Sequence, residues 1–197
     1  MKVIGLTGGT GAGKTTVLKE IEVMGGAVLD CDRIYYELLE TDDALRREMT
    51  EAFGDVFSAD GSLDRKKLAG IVFSDEKKLR TLNGIVYYYM GLEIRRRLVA
   101  LRDAGCSLAG IDAINLIESG LGELCDTTVA VTAPEEARLA RIMARDGISR
   151  EYALSRIRAQ KPEEYFRRYC KTVLENDGGT EEFREKAQRL LINFMEI

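Results

Sequence analysis

The sequence contains no histidine. This absence removes the commonest general base and the commonest side-chain ligand for transition metals, so any proton transfer has to use carboxylates. The cysteines also lack a Cys-x-x-Cys spacing, which argues against a zinc knuckle and against a disulfide framework. We expect reduced, mostly buried thiols. They are Cys31, Cys106, Cys125 and Cys170.

Positive charge is not in excess, and no apolar run approaches the length that spans a bilayer. The net charge of −4 and the sequence pI near 5.2 argue against a sequence-independent nucleic-acid binder, which needs a basic surface. Because a strand is predicted from Val3, we expect no signal peptide. We therefore expect a soluble, cytoplasmic protein that binds neither nucleic acid nor membranes, and we expect a monomer or a weak homo-oligomer.

Proline is rare, with 2 in the chain, and there is no low-complexity tract or internal repeat at which to divide it. A length of 197 residues fits one domain, and a hydrophobic content of 45% is enough to build a core. We predict a single domain over residues 1–197. Within it we predict a helical region at about 35–103 and a second helical segment at about 138–168.

Short apolar runs of strand type alternate with helical segments along the chain. This alternation predicts an α/β fold with a parallel five-stranded sheet, covered by helices on both faces in three layers. The predicted strands are Val3–Leu6, Ala27–Leu29, Leu108–Ile111, Thr127–Thr132 and Thr172–Leu174. A long helix is predicted over Leu79–Leu101.

The first predicted strand runs directly into Gly-Gly-Thr-Gly-Ala-Gly-Lys-Thr at residues 8–15. A strand before this pattern and a helix after it are typical of a phosphate-binding loop, and they disfavour a glycine-rich turn that binds nothing. In such a loop, backbone N–H groups and the helix N-terminus face phosphate oxygens, Lys14 bridges the β- and γ-phosphates, and Thr15 ligates Mg²⁺. The predicted nucleotide-binding residues here are Gly9, Thr10, Gly11, Ala12, Gly13, Lys14, Thr15 and Thr16.

Asp30 and Asp32 follow the second predicted strand, where open α/β sheets place their ligand chemistry. Cys31, between them, is either a small buried filler or a redox-sensitive thiol. Further on, Arg141 and Arg145 share a helix face in an arginine-rich segment. Acidic residues among these arginines fit a solvated, salt-bridged helix, whereas the phosphate loop favours a lid that closes over a transferring phosphoryl group. Residues 146–149 are a plausible hinge, with Ser149 capping the next helix.

These motifs together resemble the dephospho-coenzyme A kinase family over nearly the whole chain. The phosphate loop alone serves many functions, but its combination with the later motifs is much narrower. The matching segments are Gly5–Thr16, Asp30–Asp32, Phe53–Gly54, Asp60–Arg65, Leu68, Val72–Phe73, Leu82–Asn83, Glu118, Arg141, Arg145–Gly147, Gln160 and Asn176–Gly178.

The resemblance implies a P-loop kinase that uses ATP and Mg²⁺ to phosphorylate the ribose 3′-hydroxyl of dephospho-coenzyme A. It implies that Asp32 orients or deprotonates this hydroxyl, which suits a carboxylate and needs no histidine. It also implies a helical acceptor-binding region, a lid that carries Arg141 and Arg145, and Asn176 near the adenine. The catalytic residues implied are Lys14, Asp32, Arg141 and Arg145, and the substrate-binding residues are Asp32, Arg65, Tyr87 and Glu118.

The differences from the family pattern lie on the acceptor and lid side. Tyr87 and Tyr88 stand where the family has His-Pro, Ile114–Ile117 replaces a Pro-Leu segment before Glu118, and Cys170–Lys171 replaces Ala-Asp. One interpretation is a divergent dephospho-coenzyme A kinase in which tyrosine hydroxyls replace the imidazole. A second is a small-molecule kinase that acts on a different hydroxyl acceptor. A third is a non-catalytic ATP-binding regulator, although the complete set of transfer residues argues against it.

Overall fold

The computed structural model describes residues 1–196. The chain divides into two compact units: one comprises Met1–Leu29 and the chain from Val99 onward, and the other comprises Asp30–Leu98. The first unit holds the β-sheet and the second is helical. The single domain and its sub-regions, with the limits given above, stay a prediction.

The sheet has five strands: β1 (Lys2–Thr7), β2 (Ala27–Asp30), β3 (Leu108–Asp112), β4 (Thr127–Thr132) and β5 (Thr172–Glu175). Their order is β2-β3-β1-β4-β5, and β1 runs parallel to both β3 and β4. β1 is buried from its second residue to its last, as expected for a central parallel strand with both faces covered. The predicted α/β fold with a five-stranded parallel sheet is confirmed.

Helices fill the connections between these strands. Within residues 1–196, no helix is both long enough and apolar enough to cross a membrane. The α-helices are α1 (Lys14–Val23), α2 (Cys31–Thr41), α3 (Asp43–Phe53), α4 (Arg65–Val72), α5 (Glu76–Asp103), α6 (Glu135–Asp146), α7 (Arg150–Arg158), α8 (Glu163–Tyr169) and α9 (Thr180–Glu196).

The main core lies between the sheet and the helices α1 and α9. It includes Ile4 and Leu6 of β1, Ile21 of α1 and Phe183 of α9. Each fully buried side chain of this kind contributes about 1.5–3 kcal/mol to folding. This packing fixes α1, and with it the loop that precedes α1, against the sheet.

A buried carboxylate, Glu20, joins α1 to α9. It accepts hydrogen bonds from Nε2 of Gln188 and from Nε of Arg184, each at 2.7 Å. The hydrogen bond from Gln188, together with the bond and charge of Arg184, lowers the pKa of Glu20 below its ordinary value although burial opposes this. Glu20 therefore stays ionised and holds α9 behind the phosphate loop.

The helices α6 and α7 form a hairpin with a small core of its own, made of Leu139, Ile142, Ala153 and Ile157. α6 ends at Gly147 in the left-handed conformation, and the hydroxyl of Ser149 accepts from the N–H of Tyr152 at 3.2 Å. The predicted cap at Ser149 is thus confirmed. The turn between the helices is closed by Asp146, which pairs with Arg156 at 2.6 Å.

In the second unit, aspartates cap the helices: Asp30 caps α2, Asp42 caps α3 and Asp64 caps α4. Between Cys31 and Leu98 there is no strand, only an isolated antiparallel bridge between Phe57 and Leu63. α5 buries Ile85, Met90, Ile94 and Leu98, and it contains the long helix predicted over Leu79–Leu101. It begins three residues before the predicted start.

Candidate active site

The loop between β1 and α1 has the backbone of a phosphate-binding loop. Gly8 and Gly13 have φ angles of 123° and 114°, a region that L-residues with a Cβ rarely adopt. At Gly8 a Cβ would also overlap the carbonyl oxygen of Val131 in β4. The loop can therefore reach this conformation, pressed against the neighbouring strand, only with glycine at these positions.

The N-terminus of α1 differs from those of four other helices in the described part of the chain. It has no side-chain cap and no acidic residue in its first turn, whereas α2, α3, α4 and α7 are capped by Asp or Ser. The first N–H groups of a helix have no partners within the helix, and the helix dipole adds partial positive charge there. An uncapped N-terminus after a glycine-rich loop fits a bound phosphate group.

Lys14 and Thr15 lie in the first turn of α1. The ammonium of Lys14 donates to the carbonyl of Gly8 at 3.0 Å, so its charge stays at the loop, and Thr15 is exposed. Asp112, which the sequence analysis missed, ends β3 directly beside Leu6 of β1, with its Oδ1 atom buried. The only signal in the sequence was an acid at the carboxyl end of a predicted strand.

A hydroxyl and a carboxylate are the hard oxygen donors that Mg²⁺ prefers, and this ion usually takes one or two protein ligands and completes its shell with water and phosphate. Thr15 and Asp112 fit such an ion. Within residues 1–196 there is no group of three or more acidic or cysteine residues that could hold a metal ion without a substrate.

Asn176 and Arg141 bond to the backbone of the loop at Gly11 and Ala12. The roles that the resemblance implies for them, near the adenine for Asn176 and in the lid for Arg141, stay predictions. Asn176 follows β5 and is buried; its Nδ2 donates to the carbonyl of Ala12 at 2.8 Å and its Oδ1 accepts from Arg141 at 3.1 Å. Arg141 also donates to the carbonyls of Gly11 and Ala12 at 3.2 and 3.3 Å. These two residues support the loop that would bind the phosphates.

Arg138 and Gln160 contact the tip of the loop, and the sequence analysis did not select them as site residues. Arg138 donates to the carbonyl of Thr10 at 2.9 Å, and Gln160 accepts from the N–H of Thr10 at 2.9 Å. Burial lowers the pKa of the Arg138 guanidinium below its ordinary value. The available signal was spacing, because Arg138 lies three residues before Arg141 on one helix face.

Arg145 has a different environment from Arg141. Its guanidinium donates to both carboxylate oxygens of Asp146, at 2.7 and 2.9 Å, and its side chain is 59% exposed. The guanidinium of Arg145, followed by that of Arg156, lowers the pKa of Asp146 to about 2. The catalytic role that the resemblance implies for Arg145 stays a prediction.

Glu118 lies in the turns after β3 and is exposed. The hydroxyl of Tyr165 in α8 donates to its carboxylate; burial first, and then the charge and hydrogen bond of Glu118, raise the pKa of Tyr165 to about 12. The ring of Tyr165 packs 4.7 Å from that of Tyr169, and the ammonium of Lys161 lies 5.1 Å from its centre. Glu118 therefore stands beside an aromatic and cationic surface.

The helical unit contains Asp32, Arg65 and Tyr87. Asp32 is exposed in the first turn of α2, whereas Asp30 caps that helix by accepting from the N–H of Arg33. The two acids thus have separate roles, and Asp32 has its carboxylate open to solvent. Tyr87 is half-buried on α5, next to Tyr88, which is 61% exposed.

Arg65 begins α4 at the edge of an apolar pocket of about 200 Å³. Its guanidinium carbon lies 4.5 Å from the centre of the Tyr36 ring, a cation–π contact. A small apolar pocket with one cation at its edge suits a ligand that carries both an apolar part and an anionic group. The pocket is lined by Tyr35, Tyr36, Leu63, Arg65, Leu68, Ala69, Val72, Phe73 and Leu82.

Comparison with known proteins places these features in a family. A sequence model of the dephospho-CoA kinase family matches residues 2–182. The dephospho-CoA kinase of Carboxydothermus hydrogenoformans is 37% identical over 192 residues, which cover 97% of this chain and 93% of that protein. A crystal structure from Thermus thermophilus has a TM-score of 0.81 and 35% identity, covering 98% of this chain and 96% of that one.

A dephospho-CoA kinase from Campylobacter jejuni has a TM-score of 0.70 at 23% identity, covers all of this chain and 98% of that one, and shows the same fold. The architecture is thus that of a P-loop kinase. The sequence match over residues 2–182 includes the phosphate loop and the residues that bond to it. The chain belongs to the dephospho-CoA kinase family.

Proposed function

We propose that this protein transfers the γ-phosphate of Mg²⁺·ATP to the ribose 3′-hydroxyl of dephospho-coenzyme A, which gives coenzyme A and ADP. The observation that carries the proposal is a complete phosphate loop whose backbone is bonded by Arg141 and Asn176. The chain that holds this loop is 37% identical over 192 residues to a dephospho-CoA kinase. A loop held in this way can orient a triphosphate before the reaction begins.

On the donor side, the loop N–H groups and the N-terminus of α1 bind the phosphate oxygens, and Lys14 neutralises charge on the β- and γ-phosphates. Thr15 and Asp112 would hold the Mg²⁺ ion. When bound, the ion neutralises charge on the phosphate oxygens. Asn176 supports the loop through its hydrogen bond to the carbonyl of Ala12, and its position directly after β5 fits a neighbouring adenine.

In the transfer step the acceptor hydroxyl oxygen forms a bond to the γ-phosphorus while the bond from this phosphorus to the β–γ bridging oxygen breaks. The hydroxyl proton moves to the carboxylate of Asp32, and ADP leaves. Because Asp30 is engaged as a helix cap while Asp32 is exposed, Asp32 is the residue we assign to this role. Arg141 and Arg145 belong to the lid that stabilises the transferring group.

On the acceptor side, we assign Arg65 to an anionic group of dephospho-coenzyme A and the adjoining apolar pocket to an uncharged part of the same molecule. Tyr87 and Glu118 supply further hydrogen-bonding groups. The phenol of Tyr87 stands where relatives of this family have an imidazole, and it is the feature that favours a different hydroxyl acceptor as the second candidate.

The test is an assay of ADP release from Mg²⁺·ATP, with and without dephospho-coenzyme A, with the product identified by mass. We expect acceptor-dependent turnover to coenzyme A. ATP binding without this turnover would contradict the proposal, and screening of other acceptors would then distinguish a kinase of different specificity from a non-catalytic ATP-binding regulator.

The Asp32→Asn variant tests the assigned base. We expect kcat to fall by roughly 10²-fold or more while nucleotide affinity stays nearly unchanged, because general base catalysis contributes only to the transition state. Asp43→Asn is the matched control, since Asp43 is likewise an exposed acid in the first turn of a helix. Equal losses in the two variants would rule out a specific role for Asp32.

A further inference from the structure

The side chains of Arg138, in α6, and of Gln160, two residues after the end of α7, close a ring of hydrogen bonds on Thr10, at the tip of the phosphate loop. The N–H of Thr10 donates to Oε1 of Gln160 at 2.9 Å, and the same oxygen accepts from Nη2 of Arg138 at 2.8 Å. Nε of Arg138 then donates to the carbonyl of Thr10 at 2.9 Å. Both backbone groups of Thr10 are therefore held by side chains more than a hundred residues away in sequence. We call Thr10, Arg138 and Gln160 the tip clamp.

The glycines on either side of Thr10 make room for this arrangement. A Cβ at Gly9 would overlap the guanidinium of Arg138, and a Cβ at Gly11 would lie 2.8 Å from the carbonyl oxygen of Arg138. The guanidinium thus lies directly against the loop backbone. Because arginine keeps its charge in proteins, a full positive charge is held at the tip of the loop.

The tip clamp bonds the peptide unit between Thr10 and Gly11. The N–H of this unit is one of the groups that the proposed function assigns to phosphate. The carbonyl of Thr10 and the N–H of Gly11 belong to one peptide unit, so a cation bonded to that carbonyl polarises the N–H and makes it a stronger donor. Holding the tip before ligand binds also removes an ordering step from nucleotide binding.

We propose that Arg138 and Gln160 are positioning residues, which act through Thr10 to hold the loop in the conformation that binds the nucleotide phosphates. Through them the α6–α7 hairpin and the loop move as one body. The inference rests on the nucleotide site of the proposed function, but it is independent of which acceptor is phosphorylated.

The test uses Arg138→Met, Gln160→Met and the double variant, each compared with the wild type by calorimetric titration with Mg²⁺·ADP and by steady-state kinetics. We expect each single change to weaken ADP binding about tenfold and to raise the KM for ATP similarly, while the KM for the acceptor stays unchanged. The double variant should bind no more weakly than the weaker single variant, because the first change already opens the ring.

Two further variants serve as controls. Gln160→Glu keeps an oxygen acceptor for both donors, and we expect it to bind ADP within about threefold of the wild type. Arg158→Met removes one positive charge from the exposed last residue of α7, and we expect wild-type affinity.

Wild-type ADP affinity in both single variants would overturn the proposal, as would additive losses in the double variant. A fall in kcat that only follows a lower folded fraction, with the KM for ATP unchanged, would also overturn it by showing a purely structural role. If dephospho-coenzyme A is not phosphorylated but the ADP affinities change as expected, the proposed function fails and the tip clamp stands.

Discussion

The substitution Gly13→Ala tests whether the phosphate loop needs glycine at residue 13 only for its backbone conformation or also for the space that Asn176 occupies. Gly13 has a φ of 114°, and an added Cβ would overlap Nδ2 of Asn176 and lie 3.2 Å from the ring of Phe183. The new methyl group must therefore displace the Asn176 amide. This amide bonds the carbonyl of Ala12 and accepts from Arg141, so both of these hydrogen bonds are lost.

The expected magnitude follows from these contacts. A Cβ in the left-handed region costs about 1–2 kcal/mol. Leaving the buried amide of Asn176 without its partners costs about 1–3 kcal/mol more, which gives a loss of about 4 kcal/mol in the free energy of unfolding. For a chain of this size we expect Tm to fall by about 10 °C. Because the displaced amide supports the loop, Mg²⁺·ADP should also bind about tenfold more weakly.

Gly25→Ala is the matched control. Gly25 has a φ of 78°, and an added Cβ would meet nothing within 4 Å, so only the conformational cost of about 1–2 kcal/mol applies. Urea unfolding measures the stability of both variants, and calorimetric titration with Mg²⁺·ADP measures their affinities. A Gly13→Ala variant no less stable than Gly25→Ala, with wild-type ADP affinity, would refute the role assigned to Asn176.

Two further predictions concern titratable groups. The hydrogen bond from Gln188 and the pairing with Arg184 lower the pKa of Glu20 below 4.5, so the wild type should be more stable than Glu20→Gln at neutral pH. This advantage should be lost as the pH falls below 4.5 through the folded-state pKa of Glu20. Urea unfolding of both proteins at a series of pH values measures the difference in stability. A difference that stays constant with pH would contradict the prediction. Burial raises the pKa of Cys125 to about 12 and that of Cys170 to about 11, so both thiols stay protonated at neutral pH. Iodoacetamide should label these two thiols slowly in the folded protein and rapidly after denaturation, as followed by mass spectrometry. Fast labelling of Cys125 or Cys170 in the native protein would show that this thiol is not buried.

The strands were predictable because a parallel strand buried on both faces is a short, continuous apolar run. The predicted segment Thr127–Thr132 agrees with β4, and Leu108–Ile111 differs from β3 by one residue. The long helix was predicted too short at both ends. Its first turn, from Glu76, is polar, and Asp75 supports it through bonds to the N–H groups of Lys77 and Lys78, which an apolar periodicity does not record.

The parts of the candidate site that lie close together in sequence were also predictable. Lys14 and Thr15 belong to one contiguous motif with a fixed backbone geometry. In contrast, Gln160 contacts Thr10 across 150 residues, and Arg138 does so across 128. Such contacts depend on how the chain folds over long separations, so helical spacing alone does not single out Arg138 among several arginines.

Arg141 and Arg145 show the limit of helical spacing as a guide. A separation of four residues places both on one face, but each guanidinium bonds the nearest suitable acceptors. For Arg141 these are loop carbonyls and Asn176, whereas for Arg145 the nearest acceptor is Asp146. Spacing therefore identifies a face, and the distribution of acceptors around that face decides which residue contacts the loop.

The sheet order has a consequence for how the protein is made. The phosphate loop is synthesised well before its partners, because β1 pairs with β4 from residue 127 onward and Asn176 contacts Ala12 across 164 residues. A nascent chain that ends before Asn176 carries the whole loop motif without the hydrogen bond from Asn176 to Ala12. We therefore expect a nascent chain to gain nucleotide affinity only after Asn176 has been synthesised and has folded against the loop.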